Sequence, residues 1–145
     1  MLTIGSKAPT FNLDGSGGGK VSLASLKGHF AVIVFYPRNN TPGCNRQLTG
    51  LEQARPEFEK LNTLVLAINP ADIKSHQNYC EKKGFKFPIL SDPERLTLTR
   101  YKALKDDGQK VQRSVYAVDP DGKIIFAQQG QADYKEIMEL IKSRM

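Results

Sequence analysis

The chain has 145 residues, 39% of them hydrophobic and 25% charged, which fits one globular domain over residues 1–145 with a core of its own. Its net charge of +6 comes from 21 Lys and Arg interleaved with 15 Asp and Glu, without a basic block, so it reads as a solvated surface and no nucleic-acid partner is expected. No apolar run approaches the roughly 20 residues of a membrane span, which excludes a spanning helix.

The start, Met1-Leu2-Thr3-Ile4-Gly5, lacks the basic and apolar regions of a signal peptide, so the expected compartment is the cytoplasm. There, two cysteines are redox-active or buried rather than a permanent staple. Gly15-Ser16-Gly17-Gly18-Gly19, between Leu13 and Val21, reads as a flexible hairpin tip; no strand-to-helix context supports a dinucleotide loop. Beyond residue 30, strand and helix periods alternate, the pattern of an α/β layer fold. Ala31–Tyr36 is a continuous apolar run, rich in β-branched residues, and reads as a buried central strand. Leu48, Leu51, Ala54, Phe58 and Leu61 mark an amphipathic helix that Gly50 weakens and Pro56 should kink or break. Leu64–Asn69 is the next strand, followed by a helix over 72–83 that ends at Gly84. Asp92-Pro93 predicts the start of another short helix. Ser114–Val118 and Lys123–Gln128 are strands joined by the turn Asp119-Pro120-Asp121-Gly122, and Ala132–Lys142 is a terminal helix.

The chemistry concentrates where the first strand ends, in Pro37-Arg38-Asn39-Asn40-Thr41-Pro42-Gly43-Cys44. Thr41 suits a helix N-cap and Pro42 the first helical position, where its missing N–H costs nothing. Cys44 then occupies the third helical position. Free first-turn amides and the positive end of the helix dipole favour the anionic form of a thiol there and make it a nucleophile.

Pro37-x-x-x-Thr41-x-x-Cys44 resembles the peroxidatic motif of the peroxiredoxins, and Phe35-Tyr36-Pro37 with Asn40-Thr41-Pro42-Gly43-Cys44 resembles their Q-type branch, the bacterioferritin comigratory proteins. The likeness continues in Gly5-Ser6-Lys7-Ala8-Pro9, in Phe87-Pro88-Ile89-Leu90-Ser91-Asp92-Pro93 and in Arg113-Ser114-Val115-Tyr116 through Ile124. It implies a thioredoxin-like fold, a mixed central sheet flanked by helices with an N-terminal β-hairpin added. It also implies a peroxidase that needs neither metal nor organic cofactor. Cys44 thiolate would attack the terminal oxygen of a hydroperoxide and become a sulfenic acid. Thr41 would hydrogen-bond at the reacting centre, Pro37 would shield the sulfur, and Arg113 would bring a fixed cation to it. The implied reductant is thioredoxin or a similar dithiol, and the branch includes both monomers and weakly paired dimers.

One position departs from the commonest pattern. Many Q-type members carry a second cysteine five residues after the first, where this chain has Thr49. Some relatives place the resolving cysteine in the following helix, which makes Cys80 the candidate. The alternatives are a one-cysteine enzyme with Cys80 buried and inert, a thiol–disulfide carrier without peroxidase activity, and a non-catalytic interaction domain. The carrier reading lacks its Cys-x-x-Cys. Bridging Cys44 to Cys80 would require the first helix to loosen locally, which Gly43, Gly50 and Pro56 would ease. His29 and His76 lack zinc-ligand spacing and are expected on the surface or in loops; Tyr36 is expected either to line the pocket or simply to pack.

Overall fold

The computed structural model describes residues 1–145. A hairpin of β1 (Asn12–Asp14) and β2 (Lys20–Ser22) comes first, then β3 (Phe30–Phe35), α1 (Pro42–Lys60), β4 (Thr63–Asn69), α2 (Ile73–Lys83) and β5 (Ile89–Ser91). The chain continues through a short α3 (Leu96–Arg100), the antiparallel pair β6 (Ser114–Val118) and β7 (Ile124–Gln129), and α4 (Tyr134–Ser143). Five strands form one mixed sheet in the order β5-β4-β3-β6-β7: β3, β4 and β5 are parallel, β6 alone runs against them, and β7, antiparallel to β6, returns to their direction. This is the thioredoxin-like arrangement that the resemblance implies, a mixed sheet flanked by helices. The hairpin is a separate two-stranded sheet whose loop reaches the edge strand β5 through a Gly15–Leu90 bridge.

β3 explains the two-sided core. All six of its residues are buried, and side chains alternate between the faces of a strand. Val32 and Val34 enter the layer beneath α1, α2 and α4, with Leu48, Leu51, Phe58, Tyr79 and Ile137. Ala31, Ile33 and Phe35 enter the layer formed by the N-terminal segment and α3, with Phe11, Leu98, Tyr101 and Tyr116. The Cys44 segment follows directly from this fully buried strand, so its loop starts from a fixed point.

Two expectations are corrected. α1 runs unbroken through Pro56, whose neighbours Arg55 and Phe58 keep the helix seated: Phe58 is fully buried, and Arg55 bonds both Glu52 and Glu59. The short helix does not begin at Asp92-Pro93. It begins at Leu96, capped by Arg95 in the left-handed region at φ 60°, while the buried Asp92 carboxylate accepts the amide of Leu98 at 2.8 Å. α2 follows its sequence signals closely, with Asp72 accepting the Ser75 amide at 2.8 Å and Gly84 left-handed at φ 73°.

Candidate active site

The loop from Tyr36 to Thr41 is tied down at both ends. Asn69, at the end of β4, donates to the Tyr36 carbonyl at 2.9 Å and accepts the Ala71 amide at 2.7 Å. Asn40 takes a left-handed conformation at φ 59°, which asparagine tolerates better than most residues. Thr41 and Pro42 then start α1, and Cys44 is its third residue.

Cys44 is 1% exposed, packed in the core, yet it lines a cleft of about 450 Å³ with Pro37, Arg38, Thr41, Pro70, Arg95, Lys105, Gln109, Lys110, Val111 and Arg113. Arg113, at the start of β6, donates from Nη2 to the Cys44 sulfur at 3.4 Å. Its Nη1 donates to the side-chain oxygen of Gln47, one turn further along α1. Four of the five residues singled out from the sequence, Pro37, Thr41, Cys44 and Arg113, therefore meet around one opening. Five lining side chains are cationic and none is a carboxylate, so the mouth favours negative charge.

Thr41 occupies the N-cap position with extended backbone, but its side chain does not cap the helix. The hydroxyl instead leans back to the Arg38 carbonyl at 3.4 Å. Thr41 nonetheless lines the cleft alongside Cys44.

Cys80 is elsewhere. Its half-buried thiol lies in the last turns of α2 and donates to Ser16 Oγ at 3.6 Å, beneath the hairpin tip. Ser16 Oγ also accepts the Ile89 amide at 3.0 Å, which pins the tip over β5. Burial pushes the Cys80 thiol up from its ordinary range, Ser16 opposes the shift, and the Glu52 carboxylate adds to it. Both cysteines are free, each inside an intact helix.

Around the Cys44 loop the structure changes or adds to the sequence reading at several residues. His76 is not a surface residue: it is fully buried at the α2–loop contact. Tyr36 is also fully buried and packs rather than lining the cleft, with its hydroxyl donating to Asn39. Gln47 and Arg38 belong to the site through contacts that only the fold creates. A second cavity of about 270 Å³, between Lys7, Lys27 and Asp119, contains no thiol. No cluster of His, Cys, Asp and Glu could hold a metal, and no helix is long and apolar enough to cross a membrane.

The model of the AhpC/TSA family matches residues 4–127 of this chain. The chain belongs to that family. It is a peroxiredoxin of the bacterioferritin comigratory branch, a thiol peroxidase, and resembles peroxiredoxin Bcp of Xanthomonas campestris with 34% identity over 83% of this chain and 80% of the relative. Peroxiredoxin Q of Xanthomonas campestris superposes with a TM-score of 0.83 and 29% identity over 92% of this chain and 90% of that one. The same organism's bacterioferritin comigratory protein, studied for its alkyl peroxide reduction activity, superposes at 0.84 and 27% identity over 92% and 91%. The Xanthomonas peroxiredoxin Q has also been solved as serine variants of two cysteines thirty-six residues apart, the separation between Cys44 and Cys80 here. The peroxiredoxin reaction requires a hydroperoxide substrate and a thiol reductant.

Proposed function

We propose that Cys44 is the peroxide-reducing cysteine and that Cys80 resolves it. The observation that carries the first part is the Arg113 guanidinium set against the Cys44 sulfur, at the floor of an open cleft. A hydroperoxide entering beside Pro37 and Thr41 presents its terminal oxygen to the sulfur. The sulfur–oxygen bond forms as the O–O bond breaks, Cys44 becomes a sulfenic acid, and the departing alkoxide or hydroxide takes a proton to leave as alcohol or water. Arg113 stabilises negative charge first on sulfur and then on the departing oxygen. The Thr41 hydroxyl donates to the peroxide, and Pro37 limits water at the sulfur. Alkyl hydroperoxides, the substrate class of the Xanthomonas relative, and hydrogen peroxide both suit the open cleft.

Resolution condenses the sulfenic acid with the Cys80 thiol, forming the S–S bond and releasing water. In the reduced chain the two sulfurs face different partners, Arg113 and Ser16. A disulfide needs Cα atoms within about 7 Å, so α1 unwinds around Cys44 and the end of α2 leaves the hairpin tip before the bridge closes. Thioredoxin, or a similar dithiol, then returns both cysteines to thiols. Such a cycle requires a supply of reductant, as in the cytoplasm. On this reading the chain acts as a single domain, a monomer or a weakly associating dimer.

One equivalent of hydrogen peroxide, followed by peptide mass mapping, tests both assignments. The expected product is a Cys44–Cys80 bridge in the parent chain, a trapped Cys44 sulfenic acid in Cys80→Ser, and no reaction in Cys44→Ser. A stable sulfenic acid in the parent chain would instead make this a one-cysteine peroxidase with Cys80 structural.

A further inference from the structure

The loop that carries the peroxidatic motif is fastened to α2 by a small polar cluster that neither chemical step uses. Asn39 is its centre. Its two N–H groups reach Ser75 Oγ at 2.9 Å and His76 Nδ1 at 3.0 Å, and its carbonyl oxygen accepts the Tyr36 hydroxyl. His76 has no exposed surface. Its Nε2 faces the Asn69 carbonyl at 3.4 Å, which can only accept, so Nε2 carries the ring proton and Nδ1 is the bare acceptor that Asn39 needs. One turn on, the Tyr79 hydroxyl donates to the Asn45 side chain, the residue after Cys44. Ser75 and His76 lie three to five positions before Tyr79 and Cys80 along one side of α2, the helix that carries the Cys80 thiol.

We propose that Asn39 and His76 form the latch between the Cys44 loop and the Cys80 helix, and that His76 is a positioning residue governing how readily the two cysteines leave their folded positions to meet. This rests on the assignment of Cys44 and Cys80 above. A closed latch holds Cys44 against Arg113 for attack on peroxide. An open latch frees the loop and α2 from one another, which the condensation of sulfenic acid with Cys80 requires. The latch therefore helps the first step and hinders the second, and its strength sets how long the sulfenic acid persists exposed to a second peroxide.

His76→Ala and Asn39→Ala test this from opposite sides; the second leaves α2 untouched, so its result stands even where the first folds poorly. Rapid mixing with hydrogen peroxide is expected to show slower sulfenic acid formation and faster disulfide formation, each by roughly two- to tenfold, the equivalent of one net side-chain hydrogen bond. Less sulfinic acid should accumulate at high peroxide. A general loss of packing would slow both steps together, so parallel slowing, or two unchanged rate constants, overturns the latch. If the parent chain forms no Cys44–Cys80 bridge, the resolving assignment fails by itself, and amide exchange of residues 40–45 decides the latch. Faster exchange confined to that stretch and α2 in Asn39→Ala supports it; unchanged exchange there overturns it.

Discussion

The side-chain oxygen of Gln47 accepts a hydrogen bond from Nη1 of Arg113. That contact fixes the plane of the guanidinium so that its other terminal nitrogen meets the Cys44 sulfur at 3.4 Å. Gln47 is neutral, so the full charge of Arg113 remains available to the sulfur. Its own Nε2 is buried without a partner, a cost the fold accepts at this position.

Removing Arg113 and removing its support should therefore separate. Arg113→Met deletes the donor, and its rate constant for oxidation of Cys44 should fall by about 10² or more, the usual loss for one donor to developing negative charge. Arg113→Lys should recover only part of this, because an ammonium cannot bond Gln47 and the sulfur with one planar group. Gln47→Leu removes an unsatisfied buried donor and should leave stability within about 1 kcal/mol of the parent. Its oxidation rate should nonetheless fall, since Arg113 loses its hold. Stopped-flow oxidation and urea denaturation on the same three variants provide the check; an unchanged rate in Gln47→Leu counts against the positioning argument.

Thr41 offers a similar separation of roles. A capping threonine replaced by an isosteric apolar residue costs about 1 kcal/mol. The Thr41 hydroxyl makes no cap bond, only the 3.4 Å contact with the Arg38 carbonyl. Thr41→Val should thus change unfolding free energy by less than roughly 0.5 kcal/mol, as surface substitutions do. Peroxide reduction should fall well beyond that small change in stability. A full capping loss with normal turnover would assign the hydroxyl to the helix instead.

His76 gives the fold an acid-side sensitivity. Burial holds its pKa below the ordinary value, opposed by its contact with the Asn69 carbonyl and by the Asp72 carboxylate. The unfolded chain then binds a proton near pH 6.5 that the folded chain refuses. Between those two pKa values the unfolded state holds more protons, so stability rises with pH through the window and falls on acidification below about 6.5. Tyr36 and Tyr79, whose hydroxyls bond the same loop and the start of α1, remain neutral there, because burial raises both. Denaturant midpoints between pH 7.5 and 5 should show this slope in the parent chain and a shallower one in His76→Gln. Equal slopes would remove His76 as the cause.

Much of the fold was legible because strong local signals agree with one another. The apolar run into β3, Asp72 and Gly84 bounding α2, and the turn at Asp119 each combine a period with a cap or turn residue. Asp92 misled for a physical reason: its carboxylate reaches across to the Leu98 amide instead of capping the next residues, and Arg95 takes the left-handed position that starts α3. At the site, the residues that the linear motif names are the ones it finds. Gln47, Asn39 and His76 act through contacts that join α1 to Arg113 beside β6 and the loop to α2, separated by up to sixty-six residues in sequence, and no period records them. His76 shares the inward face with Tyr79, so its burial was encoded in position while its polarity argued the other way.

The mouth of the cleft leads to a prediction about substrate charge. Arg38, Arg95, Lys105 and Lys110 surround the approach to Arg113, and no carboxylate lines it. Asp107, in the loop between Lys105 and Lys110, turns its carboxylate back onto the amides of Gln109 and Lys110, at 2.9 Å each, and those bonds keep its pKa low. A cluster of like charges around a low-dielectric floor raises the local concentration of anions and speeds their arrival, and salt weakens the effect. A carboxylate-bearing hydroperoxide should therefore oxidise Cys44 faster than a neutral one of similar bulk. Its advantage should shrink several-fold as ionic strength rises from about 0.01 to 0.15 M, across which the Debye length falls from about 30 to 8 Å. Hydrogen peroxide, uncharged and small, should show almost no salt dependence. Lys105→Glu combined with Lys110→Glu should slow the anionic substrate while sparing hydrogen peroxide, because neither side chain touches the sulfur. Parallel salt curves for the charged and neutral peroxides would mean that the cationic rim does not steer substrate, and would leave Arg113 as the only one of these charges that serves the reaction.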